Sequence, residues 1–426
     1  MSSFRAETYQ NEYLPVDGSE VNAVVTVTGS SDGATAPRPP AAAEIVIVDT
    51  SGSMKAPPAK LRAAQRATAA AIDCLRDEVA FGVIAGAQNA YRVYPTSGAL
   101  VPASAATRAE AKDAAGRLRA QGGTAIGSWL ALANELFASA PDSIRHAVLL
   151  TDGQNAHESG KELARVLGEC QGRFQCDCRG VGTDWEVDEL RRIASALLGT
   201  VDIIPEPSGM EADFRSMIER AMGKRTGDVS LRLWTPQGAT VAFVKQVSPS
   251  IEDLTGRAVP TEAQTTDYAT GAWGDESRDY HLCIHVPPRP VGDEMLAGRF
   301  SLVVDGEATS QALIKAIWTE DERLSTKINR EVAHYTGQAQ LAEAIQVGLE
   351  ARKAGDEATA TDELGRAVKL ATEGGNDATM QLLERVVEVV DPDTGTVRLK
   401  RVMDDADEMT LDTRSTRTAR VKKSLP

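Results

Sequence analysis

The feature that most constrains the fold is an alternation, between about Ala43 and Gly223, of short apolar runs with segments of helical periodicity. Such alternation is typical of β/α units built around a mostly parallel sheet. The runs predict strands at 45–48, 79–84, 147–150, 174–178 and 201–204, and helices at 58–75, 106–120, 126–138, 159–172, 187–198 and 211–222. The predicted fold class is therefore α/β, with a doubly wound sheet.

The flanking sequence has the period of two that is typical of half-buried strands. Residues 21–28 alternate in this way before a linker at 29–40 that is rich in Gly, Ser and Pro. After Gly227 the runs at 229–234, 241–244, 280–286 and 300–304 predict a β-sandwich. Because the early strand has no neighbour of its own, we expect it to pair with this later sheet. The α/β domain would then be inserted in, or packed on, the sandwich.

These patterns predict five segments along the chain. They are 1–40 (strands that pair with the sandwich, plus linker), 41–224 (α/β domain), 225–320 (β-sandwich), 321–390 (a helical region) and 391–426 (a charged tail). In the tail, a group of acids precedes a group of bases, so we expect it to be mostly disordered. Thr416 and Thr418 stand among its arginines and are the candidate phosphorylation sites.

Composition narrows the class of protein. Hydrophobic residues make up 42% and charged residues 25% of the 426 residues, as in ordinary globular proteins. A formal net charge of −15 argues against binding to nucleic acids or anionic membranes. The five cysteines have no regular spacing and no apolar run approaches about 18 residues, so we expect reduced thiols in a cytoplasmic protein with no membrane anchor.

Oxygen-bearing side chains follow the strands of the α/β domain where each strand ends. Asp49, Ser51 and Ser53 come after the first strand, Thr124 precedes a helix, and Asp152 follows the strand at 147–150. Ligands bind at this edge of a doubly wound sheet. Two carboxylates and three hydroxyls suit a six-coordinate Mg²⁺ that retains water. We therefore predict a metal site formed by these five residues.

The same five residues resemble the metal-ion-dependent adhesion site of the von Willebrand factor A family. Asp49, Ser51 and Ser53 match its Asp-x-Ser-x-Ser element, Thr124 its second-loop threonine and Asp152 its third-loop aspartate. The resemblance covers about residues 43–223 and implies a Rossmann-like domain. It also implies that the hydroxyls ligate the ion directly, that the aspartates act partly through water, and that a partner carboxylate completes the coordination. In overall plan the chain resembles cytosolic actinobacterial members.

Three weaker patterns have simpler interpretations. His281, Cys283 and His285 share one face of a strand, where a soft-metal site is conceivable but an ordinary sandwich strand is favoured. Cys176 and Cys178 fit small core residues better than a redox pair.

His157 lies near enough to Asp152 to be considered as a catalytic base, but a solvent-facing position at a helix start is favoured. The sequence contains no phosphate-binding loop ending in Lys-Ser or Lys-Thr and no Gly-x-Ser-x-Gly.

These observations favour a non-enzymatic, Mg²⁺-dependent protein-interaction module or scaffold, with no catalytic residues and with Mn²⁺ or Ca²⁺ as alternative ions. The expected partner supplies an Asp or Glu carboxylate. By analogy with actinobacterial relatives, forkhead-associated (FHA) proteins and Ser/Thr kinases are candidate partners through the tail. The alternatives are a partner subunit of a AAA+ ATPase, as in chelatase-like pairs, and a metal-dependent hydrolase that uses His157.

Overall fold

The computed structural model describes residues 2–31 and 39–420. It divides into two compact units, one formed by Met1–Pro37 with Asp228–Pro426 and the other by Arg38–Gly227. The α/β unit is thus an insertion in the sequence of the first unit. Three strands precede it: β1 (Ser2–Gln10), β2 (Tyr13–Leu14) and β3 (Glu20–Ser31). Of the predicted linker, residues 32–38 lie outside the described residues.

The inserted unit alternates strands with helices, as the sequence predicts. Its strands are β4 (Ala42–Asp49), β5 (Ala80–Gly86), β6 (Tyr91–Tyr94), β7 (Val101–Pro102), β8 (Ile144–Thr151), β9 (Gln175–Val181) and β10 (Val201–Ile204). Its helices are α1 (Ala59–Asp73), α2 (Ala105–Ala115), α3 (Ile126–Phe137), α4 (Gly160–Cys170), α5 (Val187–Ala196) and α6 (Met210–Met222).

The sheet of this unit reverses its strand order next to β4. The order is β10-β9-β8-β4-β5-β6, with β7 also paired to β5. Strands β10, β9, β8, β4 and β5 are parallel, whereas β6 and β7 run antiparallel to β5. The chain moves from β4 outward to β5 and later returns to β8 on the other side of β4, which makes the carboxyl ends of β4 and β8 the topological switch point. Crevices at such points are where doubly wound sheets bind ligands.

A buried cluster of charged side chains lies near the amino ends of β4, β8 and β9, at the opposite end of these strands from the switch point. His146 lies between Glu44 and Asp177, with Nδ1 2.9 Å from Glu44 Oε1 and Nε2 3.2 Å from Asp177 Oδ2. Burial alone would lower the pKa of His146, but the charge of Glu44 and the hydrogen bonds to both carboxylates raise it to about 10. His146 is therefore a cation of β8 that is paired with carboxylates of β4 and β9. It has a structural role and lies far from the switch point.

The first unit contains the β-sandwich. Its remaining strands are β11 (Thr226–Trp234), β12 (Thr240–Ser248), β13 (Glu252–Asp253), β14 (Ala258–Glu262), β15 (Thr265–Trp273), β16 (Glu276–His285), β17 (Glu294–Val304) and β18 (Glu307–Trp318). One sheet has the order β1-β3-β16-β12-β13 and the other β14-β15-β11-β17-β18-β2. Strand β3 pairs antiparallel with β16, and alternate residues of both sheets, such as Val25, Leu282 and Phe300, share one core.

Helices and a hairpin follow the sandwich. They are α7 (Glu322–Ser325), α8 (Arg330–Lys353), α9 (Glu357–Glu373), α10 (Asp377–Val386), β19 (Val387–Asp391), β20 (Thr396–Leu399) and α11 (Asp405–Arg414). Tyr335, near the start of α8, packs with Val24 and Val247 on the sandwich sheet. No helix of the described residues is long and apolar enough to span a bilayer.

The prediction of a mostly disordered tail from residue 391 onward is wrong for residues 391–420. Val397 and Leu411 are buried in the same core as Leu364 of α9, so apolar anchors fix the hairpin and α11. Four acids of this segment, Asp404, Asp405, Asp407 and Glu408, occupy the cap and first turn of α11, and Asp404 accepts a hydrogen bond from the Ala406 amide. Acidic residues are stabilising at a helix N-terminus, so their clustering reflects a helix start. Residues 421–426 lie outside the described residues.

The candidate phosphorylation sites lie in a docked segment, not a free one. Thr418 Oγ1 donates to the Val247 carbonyl at 2.6 Å, and the Ile251 amide donates to the Thr416 carbonyl at 2.8 Å. Arg420 pairs with Asp279, with Nε 3.3 Å from Oδ2. These contacts place the segment against β12 and β16, so a kinase could reach Thr418 only after the segment is released.

Candidate metal centre

Three loops meet at the carboxyl ends of β4 and β8, and backbone hydrogen bonds join the first two. The Gly52 amide donates to the Gly122 carbonyl at 2.9 Å, and the Gln121 amide donates to the Thr50 carbonyl at 2.7 Å. The Thr50 amide donates in turn to the Gly86 carbonyl at the end of β5. The first loop is therefore held between its neighbours before any ligand binds.

Asp49 is the last residue of β4, and its buried carboxylate joins two strand ends. Its Oδ1 accepts from the Ser51 amide at 2.7 Å, and its Oδ2 accepts from Thr151 Oγ1 at 2.7 Å and from the Asp152 amide at 3.4 Å. Burial raises the pKa of Asp49 to about 6, against the lowering effect of the hydrogen bonds from Ser51 and Thr151. Because protein donors occupy both oxygens, Asp49 orients the first loop against the end of β8.

The hydroxyls of the predicted site converge above Gly153. Ser53 Oγ lies 2.8 Å from Ser51 Oγ and donates to Asp152 Oδ1 at 2.6 Å. A Cβ atom on Gly153 would lie 3.2 Å from Ser53 Oγ and 3.9 Å from Thr124 Oγ1. Glycine at this position thus leaves a small space faced by hydroxyls from two loops.

The five residues predicted from the sequence are brought together by the fold. Their donor atoms are all oxygens. Ser53 is exposed while the other four residues are buried, so the site opens to solvent at Ser53. Hard oxygen donors with few charges fit Mg²⁺, which keeps several of its waters. The residues present therefore fit a divalent ion.

Lys60 is a member of this site that the sequence analysis missed. Its Nζ lies 2.7 Å from Asp152 Oδ2, and both side chains are buried. Lys60 stands in the first turn of α1, where the helix dipole disfavours a cation, so the ion pair with Asp152 is what makes the position acceptable. The only sign of this role in the sequence is a lysine seven residues after Ser53. The start of α1 directs its side chain towards Asp152.

The third loop fixes the start of α3 through side chains that accept hydrogen bonds. Asn155 Oδ1 accepts from the Ile126 amide at 2.8 Å, and Glu158 Oε2 accepts from the Gly127 amide at 2.9 Å. Asn155 Nδ2 also donates to Glu158 Oε2 at 2.9 Å. Free amides at a helix N-terminus need such acceptors, and these two hold the loop of Thr124 in register with that of Asp152.

Asn155 and Glu158 form a clamp on the start of α3, and His157 adds a further contact to the loop of Thr124. Its side chain is exposed, as expected, but Nδ1 accepts from the Thr124 amide at 3.2 Å, and the His157 amide donates to the Thr124 carbonyl at 3.0 Å. The ring occupies the place that a Cβ on Gly123 would need, with Nδ1 2.2 Å from it. Helix α4 begins only at Gly160, so His157 is a loop residue that positions Thr124 and not part of a helix start.

None of the five cysteines forms a disulfide in the described residues. The thiols of Cys170, Cys176, Cys178 and Cys283 are buried, and that of Cys74 is half-buried. Burial in β9 fits the interpretation of Cys176 and Cys178 as small core residues. The Cys178 thiol donates to the Cys176 carbonyl at 3.9 Å within the same strand.

Comparisons with known proteins identify the family. Residues 43–203 match the von Willebrand factor type A domain, and residues 369–415 match the von Willebrand factor type A C-terminal domain. A solved von Willebrand factor type A protein from Catenulispora acidiphila is 50% identical, with 98% of this chain and 97% of that chain covered and a TM-score of 0.94. The chain belongs to the von Willebrand factor type A family. Domains of this family are generally metal-dependent protein-interaction modules and not enzymes.

A more distant structure has the same fold. The ArnB paralog VWA2 from Sulfolobus acidocaldarius is 14% identical, with 98% of each chain covered and a TM-score of 0.59. No curated protein sequence matches the chain. The resemblance inferred from the five site residues is thus confirmed at the level of family and fold, and the second family match covers the segment from α9 to α11.

Two helical glycines provide a test of the clamp. In Gly127→Ala the new Cβ would lie 2.0 Å from Glu158 Oε1, so the carboxylate must move and the helix N-terminal amide loses its acceptor. We expect the free energy of unfolding to fall by about 1–3 kcal/mol. In the control Gly168→Ala, nothing lies within 4 Å of the new Cβ, and helix propensity should raise stability by about 0.5–1 kcal/mol.

Denaturant unfolding of the two variants measures both effects. Equal stability changes in the two variants would contradict the clamp.

Proposed function

We propose that this protein is a Mg²⁺-dependent interaction module that binds a carboxylate of a partner protein at the switch-point loops. The observation that carries the proposal is the convergence of hydroxyls from two loops above Gly153, backed by two buried aspartates. Side chains from three separate loops would have no reason to meet in this way as simple helix caps. Membership of a family of interaction modules supports the same conclusion.

The ligands of the ion follow from which oxygens the protein already uses. Ser51, Ser53 and Thr124 would ligate directly. The hydroxyls of Ser53 and Thr124 face the space above Gly153, and Ser51 Oγ lies 2.8 Å from Ser53 Oγ. A hydroxyl can donate its hydrogen while its oxygen ligates. Asp49 and Asp152 would act through water or by accepting those hydroxyl hydrogens. This set leaves positions for water and for one external oxygen. Mn²⁺ would fit the same donors.

Charge favours a carboxylate as the external ligand. Asp49 and Asp152 contribute −2 and Lys60 contributes +1, so the buried groups sum to −1. A divalent ion changes that sum to +1, and an Asp or Glu side chain of a partner would neutralise it. When bound, the ion supplies electrostatic attraction for that carboxylate. The neighbouring loops supply its position.

The hydrolase alternative is disfavoured by the geometry of His157. Because Nδ1 accepts a hydrogen bond from the Thr124 amide, the neutral ring carries its proton on Nε2 and has no free lone pair for a catalytic base. His146 is engaged by two carboxylates at the opposite end of the strands. We therefore propose binding without turnover.

Two classes of partner protein are predicted, and they would bind different parts of the chain. An FHA-domain protein or a Ser/Thr kinase would need Thr416 released from Ile251, or Thr418 released from Val247, before it could act on the segment. A AAA+ ATPase partner would instead be retained by the metal site itself. Identification of the retained partner separates these alternatives.

Thr124→Val tests the site with almost no change of shape, because it replaces the hydroxyl by a methyl group. We expect Mg²⁺ affinity, measured by calorimetric titration, to fall at least about tenfold. Proteins that the wild type retains from cell extract in Mg²⁺ should be lost both in EDTA and with the variant. Thr309→Val, an exposed change on β18, is the control and should behave as wild type. Unchanged Mg²⁺ affinity in Thr124→Val would contradict the proposal.

Lys60→Met tests the charge balance. Removing the ammonium leaves the Asp152 carboxylate buried without its cation, so in EDTA we expect the free energy of unfolding to fall by about 3–5 kcal/mol. A bound divalent ion would compensate that carboxylate, so the rise in Tm on adding Mg²⁺ should be larger in Lys60→Met than in wild type. Lys55→Met, which changes an exposed lysine in the preceding turn, is the control. The same rise in all three proteins would refute the role of Lys60.

A further inference from the structure

A second group of ligand-type side chains lies in the sandwich unit, on a different kind of surface. Cys283 and His285 belong to β16, and Glu20 begins the neighbouring strand β3. One ligand atom from each residue lies within 4.8 Å of the others. The donors are a thiol sulfur, an imidazole nitrogen and a carboxylate oxygen. This combination differs from the all-oxygen set of the switch-point loops.

Strand register explains why these three side chains meet. His285 lies directly opposite Glu20, and Cys283 lies opposite Asn22. Residues two apart on a strand point to the same side, so Cys283 and His285 share a face. That face is turned away from the sandwich core, since Leu282 and Ile284 are the residues buried within it. The site is therefore a product of cross-strand pairing and cannot be read from β16 alone.

A chain of hydrogen bonds orients the carboxylate. Asn22 Nδ2 donates to Glu20 Oε1 at 2.7 Å, and His281 Nε2 lies 3.0 Å from Asn22 Oδ1. Glu20 thus has one oxygen held by a neighbour, while its other oxygen can serve an ion. Metal ligands are commonly oriented by such outer partners. His281, which the sequence analysis grouped with the ligands, is instead the outer member of this chain.

The position in the sheet leaves room for the ligands to close on an ion. Tetrahedral zinc holds sulfur at about 2.3 Å and nitrogen or oxygen at about 2.0–2.2 Å, which sets ligand atoms about 3.5 Å apart. The closure needed from 4.8 Å is small for Glu20 and His285, which are exposed and stand at the first and last residues of their strands. Cys283 is buried and would provide the fixed point of the site.

We propose that Cys283, His285 and Glu20 form a binding site for a borderline-soft divalent cation of the Zn²⁺ class. Sulfur and imidazole donors select such ions over Mg²⁺. Three protein ligands leave the fourth tetrahedral position for water or an external ligand. The site is independent of the switch-point loops, because none of its residues belongs to the α/β unit.

Cobalt substitution tests the proposal, because Co²⁺ takes zinc sites and a thiolate ligand gives a charge-transfer absorption band that oxygen ligands do not give. We expect this band when Co²⁺ is added to the full chain, and its loss when Zn²⁺ is added in excess. Cys283→Ser should abolish the band. Cys74→Ser, which changes the half-buried cysteine elsewhere in the chain, and Thr124→Val, which alters the oxygen site, should both retain it.

Two further variants keep the test valid if Cys283→Ser disturbs the fold. His285→Ala and Glu20→Gln change exposed side chains and should each weaken Co²⁺ affinity at least about tenfold, with far-ultraviolet circular dichroism unchanged. Absence of the band in wild type, its persistence in Cys283→Ser, or unchanged affinity in both exposed variants would overturn the proposal.

Discussion

The buried carboxylate of Asp49 is the constraint on which the switch-point loops depend. It accepts hydrogen bonds from the amide two residues ahead and from Thr151 and Asp152 at the end of the neighbouring strand. A carboxylate is costly to bury without such partners, so these bonds fix the ends of β4 and β8 relative to each other. The hydroxyls of Ser51 and Ser53 are then presented from a loop whose backbone is already set.

Charge is balanced locally around this constraint. Lys60, in the first turn of α1, compensates the charge of Asp152. An ion bound at the proposed site would share the Asp152 carboxylate with this lysine. The clamp formed by Asn155 and Glu158 adds a second layer by holding the start of α3, and hence Thr124, against the third loop. An open site with a preset backbone costs little to organise when a ligand arrives, which favours binding.

The sequence was sufficient to predict the α/β order and the meeting of five oxygen-bearing side chains at the strand ends, because apolar periodicity and the loop motif are local signals. It was insufficient where the deciding contact is distant. Lys60 meets Asp152 across 92 residues, and Glu20 meets His285 only through the pairing of β3 with β16. The tail was misjudged because its charges dominate the composition, whereas buried Val397 and Leu411 decide its structure. Tertiary contacts of this kind leave no periodic trace.

The most direct test of the central claim is a crystal of the protein soaked with Mn²⁺ and measured for anomalous scattering. The account predicts a peak bounded by the hydroxyl oxygens of Ser51, Ser53 and Thr124, at about 2.2 Å from them, with Asp49 and Asp152 just outside. It also predicts an acidic side chain or a carboxylate from the buffer on the open side. A structure with these hydroxyls free of Mn²⁺ at saturating concentration would contradict the account.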